Sequence, residues 1–209
     1  MPQGLLPLRL QTTYNVHDFY VSTCNLEAYK VITNKCTWQN GRILLVGESG
    51  SGKSHLVSIW QKENDAVCVK NVDAILDKYG LIIEDIENFA DEMLLLSLIN
   101  VAAENNLQLL MTGRCVPRYI MQDLQSRMNA TYKVLIKNPD YELIKVLLQK
   151  QFADLQLKVD PEIVEYIASH AKVKTFHSIK VLVTLIDQIC AQYKREVSVS
   201  MVKRIVKFI

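Results

Sequence analysis

The chain has 209 residues, of which 49% are hydrophobic and 22% are charged, and its formal net charge is +2. This balance is typical of a folded globular chain, and the length suits one α/β domain with a small helical appendage. The net charge is too small to predict nucleic-acid binding, which usually brings a concentrated basic stripe. The most apolar stretch, 94–99, is far shorter than the roughly 20 residues of a membrane helix, so no membrane association is predicted.

The cysteines and the start of the chain bear on location. The five cysteines are scattered without a CxxC pair, and no histidine lies at metal-ligand spacing from any of them. We expect reduced, mostly buried thiols, as in a cytoplasmic protein. The first ten residues lack a basic leader and contain Pro2 and Pro7, so they do not resemble a secretory signal. A cytoplasmic location is therefore predicted.

The first part of the chain alternates helices and strands. Leu26, Ala28, Tyr29 and Ile32 recur at helical spacing and predict an amphipathic helix that starts at Asn25. Short apolar runs separated by helical segments then predict five strands, at 42–46, 66–69, 80–84, 107–112 and 132–136. Such alternation favours a parallel sheet covered by helices.

The pattern changes after Asn138-Pro139. Apolar residues now repeat at helical spacing from Leu143 to Phe152, and Asp160-Pro161 supplies an N-cap and a first-turn proline for the next helix. Two more helices are predicted, one over 179–189 and the last from about Ser198. The sequence thus predicts an α/β domain at 11–138 and a helical lid domain at 139–209.

A phosphate-binding loop follows the first strand directly. The segment GESGSGKS matches the GxxxxGK[ST] pattern, in which backbone amides and a helix N-terminus surround an anion. We expect Lys53 to reach the β- and γ-phosphates and the Ser54 hydroxyl to coordinate Mg²⁺. A chance glycine-rich turn is the alternative, but the flanking strand and helix favour ATP or ADP binding. The candidate nucleotide-binding residues here are Gly47, Glu48, Ser49, Gly50, Ser51, Gly52, Lys53, Ser54 and His55.

Two acids end the third strand, in the sequence LIIED. Carboxylates at this edge of a parallel sheet lie beside the phosphate loop. We expect Glu84 to hold Mg²⁺ through water and Asp85 to orient or deprotonate the attacking water. Aspartate is the usual residue at the metal position, and the longer Glu84 weakens the case for hydrolysis more than for binding. A strand that happens to end in acids is the alternative.

Together these motifs resemble the DnaA-related AAA+ family, most closely its short Hda-type regulators, over nearly the whole chain. The matching segments are residues 18–20 with Asn25 and Ala28, the GESGSGKSHL loop and helix, the LIIEDIE strand, the LLMTG strand, the DLQSRM helix and the helical lid. The resemblance implies an α/β AAA+ P-loop NTPase fold with a parallel five-stranded sheet and a small C-terminal helical lid. DnaA carries a helix-turn-helix domain after the lid, where this chain stops, so we expect no sequence-specific DNA binding.

The resemblance also implies roles for residues around the nucleotide. Phe19, Tyr20 and Val21 would border the adenine, and Thr112, at the end of the fourth strand, would sense the γ-phosphate or the attacking water. Here Thr112 could equally be an ordinary strand-end residue. The Asp-Arg-Pro-Pro turn that usually follows in the family has diverged to Arg-Cys-Val-Pro at 114–117.

Arg127 matches the arginine finger that these ATPases insert into the nucleotide site of a neighbouring subunit. A guanidinium suits this role because it is always charged and can bridge phosphate oxygens. From the residues alone, an ordinary exposed arginine at a helix end is the alternative. The lid-sensor arginine of the family is replaced by His177, and a histidine is mostly neutral at neutral pH and grips phosphate weakly. Lys174 or Lys180 could substitute for it, or His177 could be an ordinary lid residue.

The first ten residues resemble the clamp-binding peptide of the Hda-type proteins. An extended segment with Gln3 for hydrogen bonds and Leu6 and Leu8 for an apolar pocket suits docking on the DNA polymerase sliding clamp. Gly4 replaces the leucine that the family has after the glutamine. A plain disordered terminus is the alternative.

The resemblance implies a regulator of chromosomal replication initiation, with weak or absent ATP hydrolysis of its own. It would dock on the sliding clamp and stimulate hydrolysis by DnaA, with Arg127 as the arginine finger, and it could self-associate. Two alternatives stay open. One is a non-hydrolysing clamp adaptor that uses nucleotide as a structural pin, and the other is a DnaA-like or helicase-loader ATPase that acts on DNA.

Overall fold

The structure, a computed structural model, describes residues 19–34, 38–69, 80–170, 174–193 and 195–206. The predicted clamp-binding peptide, with Gln3, Leu6 and Leu8, lies outside the described residues.

Five parallel strands form one sheet in the order β2-β3-β4-β1-β5. The strands are β1 (Arg42–Val46), β2 (Ala66–Cys68), β3 (Gly80–Ile83), β4 (Gln108–Gly113) and β5 (Tyr132–Leu135). The predicted parallel five-stranded sheet is confirmed, with strand ends within one residue of those expected. Because all strands run the same way, the segments that follow β1, β3 and β4 meet at one edge of the sheet.

Eight α-helices and two short 3-10 helices, Gln39–Gly41 and Ile86–Asn88, are present among the described residues. The α-helices are α1 (Leu26–Thr33), α2 (Lys53–Asn64), α3 (Glu92–Glu104), α4 (Gln122–Asn129), α5 (Tyr141–Asp154), α6 (Pro161–His170), α7 (Phe176–Tyr193) and α8 (Val199–Val206). Within the described part of the chain, no helix combines the length and apolar character needed to cross a bilayer.

The sheet is buried on both faces because successive side chains of a strand point to opposite sides. In β1, Ile43 and Leu45 belong to the core that includes Trp60 of α2. Leu44 and Val46 belong to the opposite core, with α3 and α4. The continuous apolar runs that predict the strands are therefore the signature of a two-sided core.

Helices α5 to α8 share a third core. Its buried side chains are Ile144, Leu148, Phe152, Ile163, Val164, Ile167, Ile179, Leu182, Val183, Ile186, Cys190, Val202 and Val206. The start of α5 is tied back to the α/β part: the Asp140 carboxylate accepts hydrogen bonds from the Leu143 amide at 2.9 Å and the Thr23 hydroxyl at 2.7 Å. Leu143 also packs into the core beside α2. This anchorage sets the lid helices against the sheet.

The four described cysteines are free thiols. Cys24 and Cys190 are buried, whereas Cys68 and Cys115 are exposed. The expectation of mostly buried thiols is therefore met by two of the four described cysteines.

Candidate functional site

The phosphate loop joins β1 to α2 at the carboxyl edge of the sheet. Gly50 and Gly52 have φ values of +82° and +93°, a region that favours glycine. The conformation of the loop therefore explains why glycine occurs at these two positions. The Gly47 amide donates to the Gly113 carbonyl at 3.1 Å, which fixes the loop to β4. Among the described residues no side chain caps α2 at Gly52, and the amides of a first helical turn without a cap suit an anion.

Lys53 is 8% exposed, and its ammonium donates to the carbonyl oxygens of Gly47 at 2.6 Å and Glu48 at 2.9 Å. Burial lowers the pKa of Lys53, and the nearby carboxylates of Asp85 and Glu87 oppose this shift. A buried ammonium held by neutral carbonyls gains from contact with an anion. The loop is thus electrostatically suited to phosphate.

The Ser51 hydroxyl also fits a phosphate. It is buried inside the loop and has no hydrogen-bond partner among the described residues. A buried hydroxyl without a partner costs free energy, about 1–3 kcal/mol. A phosphate oxygen at this position would satisfy it.

Ser54 and Glu84 come together as the sequence predicts for a metal site. The Ser54 hydroxyl donates to Oε2 of Glu84 at 2.9 Å. Hydroxyl and carboxylate oxygens suit Mg²⁺, which usually takes one or two protein ligands and completes its shell with phosphate oxygens and water. No cluster of three or more His, Cys, Asp or Glu ligands occurs in the described part of the chain. These two oxygen ligands fit a magnesium ion that is also bound by a nucleotide, rather than a metal site formed by protein ligands alone.

Asp85 and Thr112 are neighbours at the same edge. The amide of Asp85 donates to the hydroxyl of the buried Thr112 at 3.3 Å. Asp85 lies in the left-handed region, with φ 53° and ψ 53°, which an aspartate adopts more readily than most residues. The strand-end threonine therefore fixes the backbone of the predicted water-orienting acid.

A cleft of about 380 Å³ extends from the phosphate loop toward the N-terminal segment. Its lining residues are Phe19, Tyr20, Asn25, Gly50, Ser51, Gly52, Lys53, Ser54, His55, Leu143, Val146, Leu147, Lys150, Gln151, Asp154 and Phe176. Of the three residues expected at the adenine, Phe19 and Tyr20 line this cleft. Val21 is exposed and does not line it.

Aromatic packing and one asparagine shape the N-terminal wall of this cleft. The Phe19 ring stacks on Tyr29 with centroids 5.8 Å apart and meets the His55 ring edge-on at 5.3 Å. The buried Asn25 donates from Nδ2 to the Tyr20 carbonyl at 2.9 Å, and its Oδ1 accepts from the Ser22 amide at 2.8 Å. Asn25 thus fixes the backbone that borders the cleft.

The lid contributes residues that the sequence analysis did not assign to the site. Val146, Lys150, Gln151 and Asp154 all line the cleft from α5. Together with Leu143 and Leu147 they lie at three- and four-residue spacing, so they share one face of the helix. This spacing in the sequence indicates that the six residues share a face of α5. It does not indicate which part of the protein that face contacts.

His177 and Lys180 line a neighbouring cleft of about 560 Å³ that also reaches Ser49 and Gly50 of the phosphate loop. Both clefts share Phe176, which is buried at the start of α7. The structure therefore brings His177 and Lys180 to the loop side of the lid. Lys174 is exposed and lines neither cleft.

Arg127 lies at the other end of the sheet. Its carbonyl accepts from the Thr131 hydroxyl at 2.8 Å, and Thr131 in turn accepts from Arg42 at the start of β1. The phosphate loop follows the end of β1, a five-residue strand that spans roughly 15 Å. The Arg127 guanidinium pairs with Asp123 on its own helix at 3.4 Å. The structure does not bring Arg127 together with the loop of the same chain.

The sheet order, the loop after β1 and the helical lid define an AAA+ P-loop fold. Similar solved structures include domain III of the replication initiation protein DnaA from Thermotoga maritima, with 16% identity and a TM-score of 0.69 over 93% of this chain and 95% of that one. A DnaA bound to AMPPCP and single-stranded DNA aligns at 16% identity and a TM-score of 0.64, over 90% of this chain and 70% of that one. A RuvB variant from Thermotoga maritima aligns at 17% identity and 0.54, over 80% and 61%.

No family model matches the sequence. Nor does any curated protein match it. At identities this low, the likeness to solved structures establishes the fold, which is that of the DnaA-related AAA+ domains.

Proposed function

We propose that this chain is a nucleotide-binding regulator of replication initiation, which docks on the DNA polymerase sliding clamp and stimulates ATP hydrolysis by DnaA. The observation that carries nucleotide binding is the convergence of Lys53, Ser54 and the partnerless Ser51 hydroxyl at the N-terminus of α2. The DnaA-like fold supports the link to replication, and one of the similar DnaA structures holds AMPPCP.

In this proposal the chain's own residues bind and orient ATP or ADP. The loop amides and Lys53 hold the phosphates, while Phe19 and Tyr20 border the base. Ser54 and Glu84 would hold Mg²⁺, which offsets phosphate charge when bound. Thr112 fixes the backbone at Asp85, the residue that would orient water.

Arg127 would act on a partner rather than on this chain's nucleotide. The roughly 15 Å of β1 between its helix end and the phosphate loop supports action in trans. The Asp123 ion pair is exposed and therefore weak, so releasing the guanidinium costs little. Its insertion beside DnaA-bound ATP would stabilise the charge that develops during hydrolysis.

Intrinsic hydrolysis would be weak. His177 faces the loop side of the lid where the family has an arginine, and an imidazole lacks the planar, bidentate set of N–H donors that a guanidinium offers to phosphate. The nucleotide would then mainly fix the lid against the α/β part, because the cleft is lined from both.

The test is ATP hydrolysis by DnaA, measured with DNA-loaded clamp and this protein. We expect stimulation by the wild type and its loss in Arg127→Ala. Arg204→Ala, an exposed charge removal on α8, is the matched control and should stimulate normally. Clamp capture by the wild type, reduced by Gln3→Ala and Leu6→Ala, tests the docking step. No stimulation by wild type, or full stimulation by Arg127→Ala, contradicts the proposal.

Glu84 and His177 favour a second candidate, a non-hydrolysing adaptor that tethers a partner to the clamp. Turnover that disappears in Asp85→Asn would argue against it. A third candidate acts on DNA through self-association, since one similar DnaA structure holds single-stranded DNA. The net charge of +2 gives it little support, and salt-sensitive DNA binding by this chain would favour it.

A further inference from the structure

A carboxylate and a guanidinium pair immediately beside the phosphate loop. The Arg114 amide donates to Oε2 of Glu87 at 3.1 Å, and Nε of the same arginine lies 3.5 Å from Oε1. The Glu87 side chain is only 15% exposed, whereas that of Arg114 is 60% exposed. The carboxylate is thus fixed and the guanidinium is free to reach other positions.

The pair lies next to the groups expected to hold phosphate. Gly113, which precedes Arg114, accepts the hydrogen bond from the Gly47 amide at 3.1 Å. Lys53 donates to the carbonyl of that same Gly47 at 2.6 Å. Burial is the main cause that lowers the pKa of Lys53, and Glu87 then raises it while Arg114 lowers it. Both charges therefore act on the Lys53 ammonium.

The charges around Lys53 favour an additional cation near the third phosphate of a bound nucleotide. Three carboxylates, of Glu84, Asp85 and Glu87, act on Lys53 together with one guanidinium, that of Arg114. Together with Lys53 itself, these groups carry a formal net charge of −1 before Mg²⁺ binds. A third phosphate adds negative charge to this site, and a further cation beside it would offset that charge. The guanidinium is mostly exposed, and its planar group of N–H donors matches phosphate oxygens.

The backbone also fixes the position of Arg114 relative to the phosphate loop. A Cβ on Gly113 would lie 3.0 Å from both Oε2 of Glu87 and the Cys115 carbonyl oxygen. A side chain at position 113 would crowd the carboxylate that accepts from the Arg114 amide. The turn is therefore shaped around the carboxylate, and the guanidinium starts from a defined position.

We propose that Arg114 determines the preference of this chain for ATP over ADP, with Glu87 as the anion that competes with the γ-phosphate for its guanidinium. This inference rests on the proposed nucleotide binding. Arg114 supplies from the α/β part a guanidinium, where the lid has the imidazole of His177.

The test compares the affinities of the full chain for AMPPCP and ADP, each with Mg²⁺, by isothermal titration calorimetry. Arg114→Ala should weaken AMPPCP binding about tenfold, as expected for a partly exposed charge-assisted contact, and leave ADP binding nearly unchanged. Arg118→Ala removes the same charge from an exposed position on the same loop and is the control. It should change neither affinity.

Glu87→Gln separates the competition from a general change in charge. In the wild-type background it should raise the affinity for AMPPCP relative to ADP, because Arg114 no longer has its carboxylate. In the Arg114→Ala background it should raise that ratio clearly less, because only the loss of one negative charge remains. If Arg114→Ala does not unfold cooperatively, Arg114→Lys takes its place. It keeps the charge but lacks the planar guanidinium, and it should also lower the affinity for AMPPCP relative to ADP.

Each other outcome has a definite meaning. An AMPPCP-to-ADP ratio that Arg114→Ala leaves unchanged overturns this inference and leaves the proposed nucleotide binding intact. A wild type that binds neither ligand removes the proposed nucleotide binding and the inference with it.

Discussion

The hydroxyl of Ser54 donates a 2.9 Å hydrogen bond to Oε2 of Glu84, which joins the first turn of α2 to the residue that follows β3. Glutamate has one more methylene than the aspartate expected at this position, and the longer side chain contacts the hydroxyl directly. The replacement therefore keeps a carboxylate against the hydroxyl that would bind Mg²⁺. This geometry is compatible with the metal role predicted for Glu84.

Removing this carboxylate should uncouple nucleotide binding from magnesium. We expect Glu84→Ala to lose most of the difference between nucleotide affinities measured with Mg²⁺ and with EDTA, because one oxygen ligand of the metal shell is gone. Glu84→Asp should retain part of it. Glu104→Ala, on the exposed end of α3, is the control. Equal magnesium dependence in Glu84→Ala and wild type would show that Glu84 does not serve the metal.

Gly80 is predicted to be intolerant of any side chain. A Cβ at this position would lie 2.5 Å from the Trp60 ring and 3.2 Å from Ala66 Cβ, in a closely packed core. We expect Gly80→Ala to lower the free energy of unfolding by about 1–3 kcal/mol in urea denaturation.

The contact partner gives a direct control for that prediction. Trp60→Phe removes the ring atom that the new Cβ would meet, so the double variant should be more stable than the sum of the two single changes predicts. Strict additivity would mean that the clash with Trp60 is not the cause.

The sheet could be predicted from the sequence because its signals are local. A two-sided core requires uninterrupted apolar runs, and β1, β3 and β4 have them. The phosphate loop is local too, since Gly50 and Gly52 lie where the backbone adopts left-handed conformations.

What the sequence could not predict depends on contacts between distant segments. Glu87 and Arg114 are 27 residues apart, and neither residue alone indicates their ion pair. The face of α5 that meets the cleft is decided by where the helix is anchored, through Asp140 and Thr23, 117 residues apart. Val21 follows two cleft residues but is exposed, which its place in the sequence does not indicate.

Asp140 should make stability depend on pH. Burial alone would raise the pKa of its carboxyl, but hydrogen bonds from the Leu143 amide and the Thr23 hydroxyl hold the pKa below its ordinary value. Because the folded-state pKa is the lower one, its contribution is present above the unfolded pKa of about 3.9 and is lost as the pH falls through the folded pKa.

Two variants separate the charge of Asp140 from its role as helix cap. Asp140→Asn keeps an N-cap acceptor but cannot titrate, so its unfolding free energy should fall less steeply in acid than that of wild type. Asp140→Ala should lose about 1 kcal/mol at neutral pH through the missing cap. Urea denaturation at several pH values measures both, and parallel pH profiles for Asn and wild type would rule out the ionisation effect.

Replacing Lys53 should abolish nucleotide binding without lowering the stability of the fold. Its ammonium is buried on carbonyl oxygens, and burial is the main cause that lowers its pKa, so Lys53→Met replaces a costly buried charge with an apolar chain of similar length. We expect the melting temperature without nucleotide to stay the same or rise. ATP or ADP at about 100 times Kd should stabilise the wild type by about 2.7 kcal/mol, and this stabilisation should nearly vanish in Lys53→Met. Lys62→Met, exposed near the end of the same helix, should keep it. Nucleotide-dependent stabilisation that survives in Lys53→Met would mean that the ligand is held elsewhere than at the N-terminus of α2.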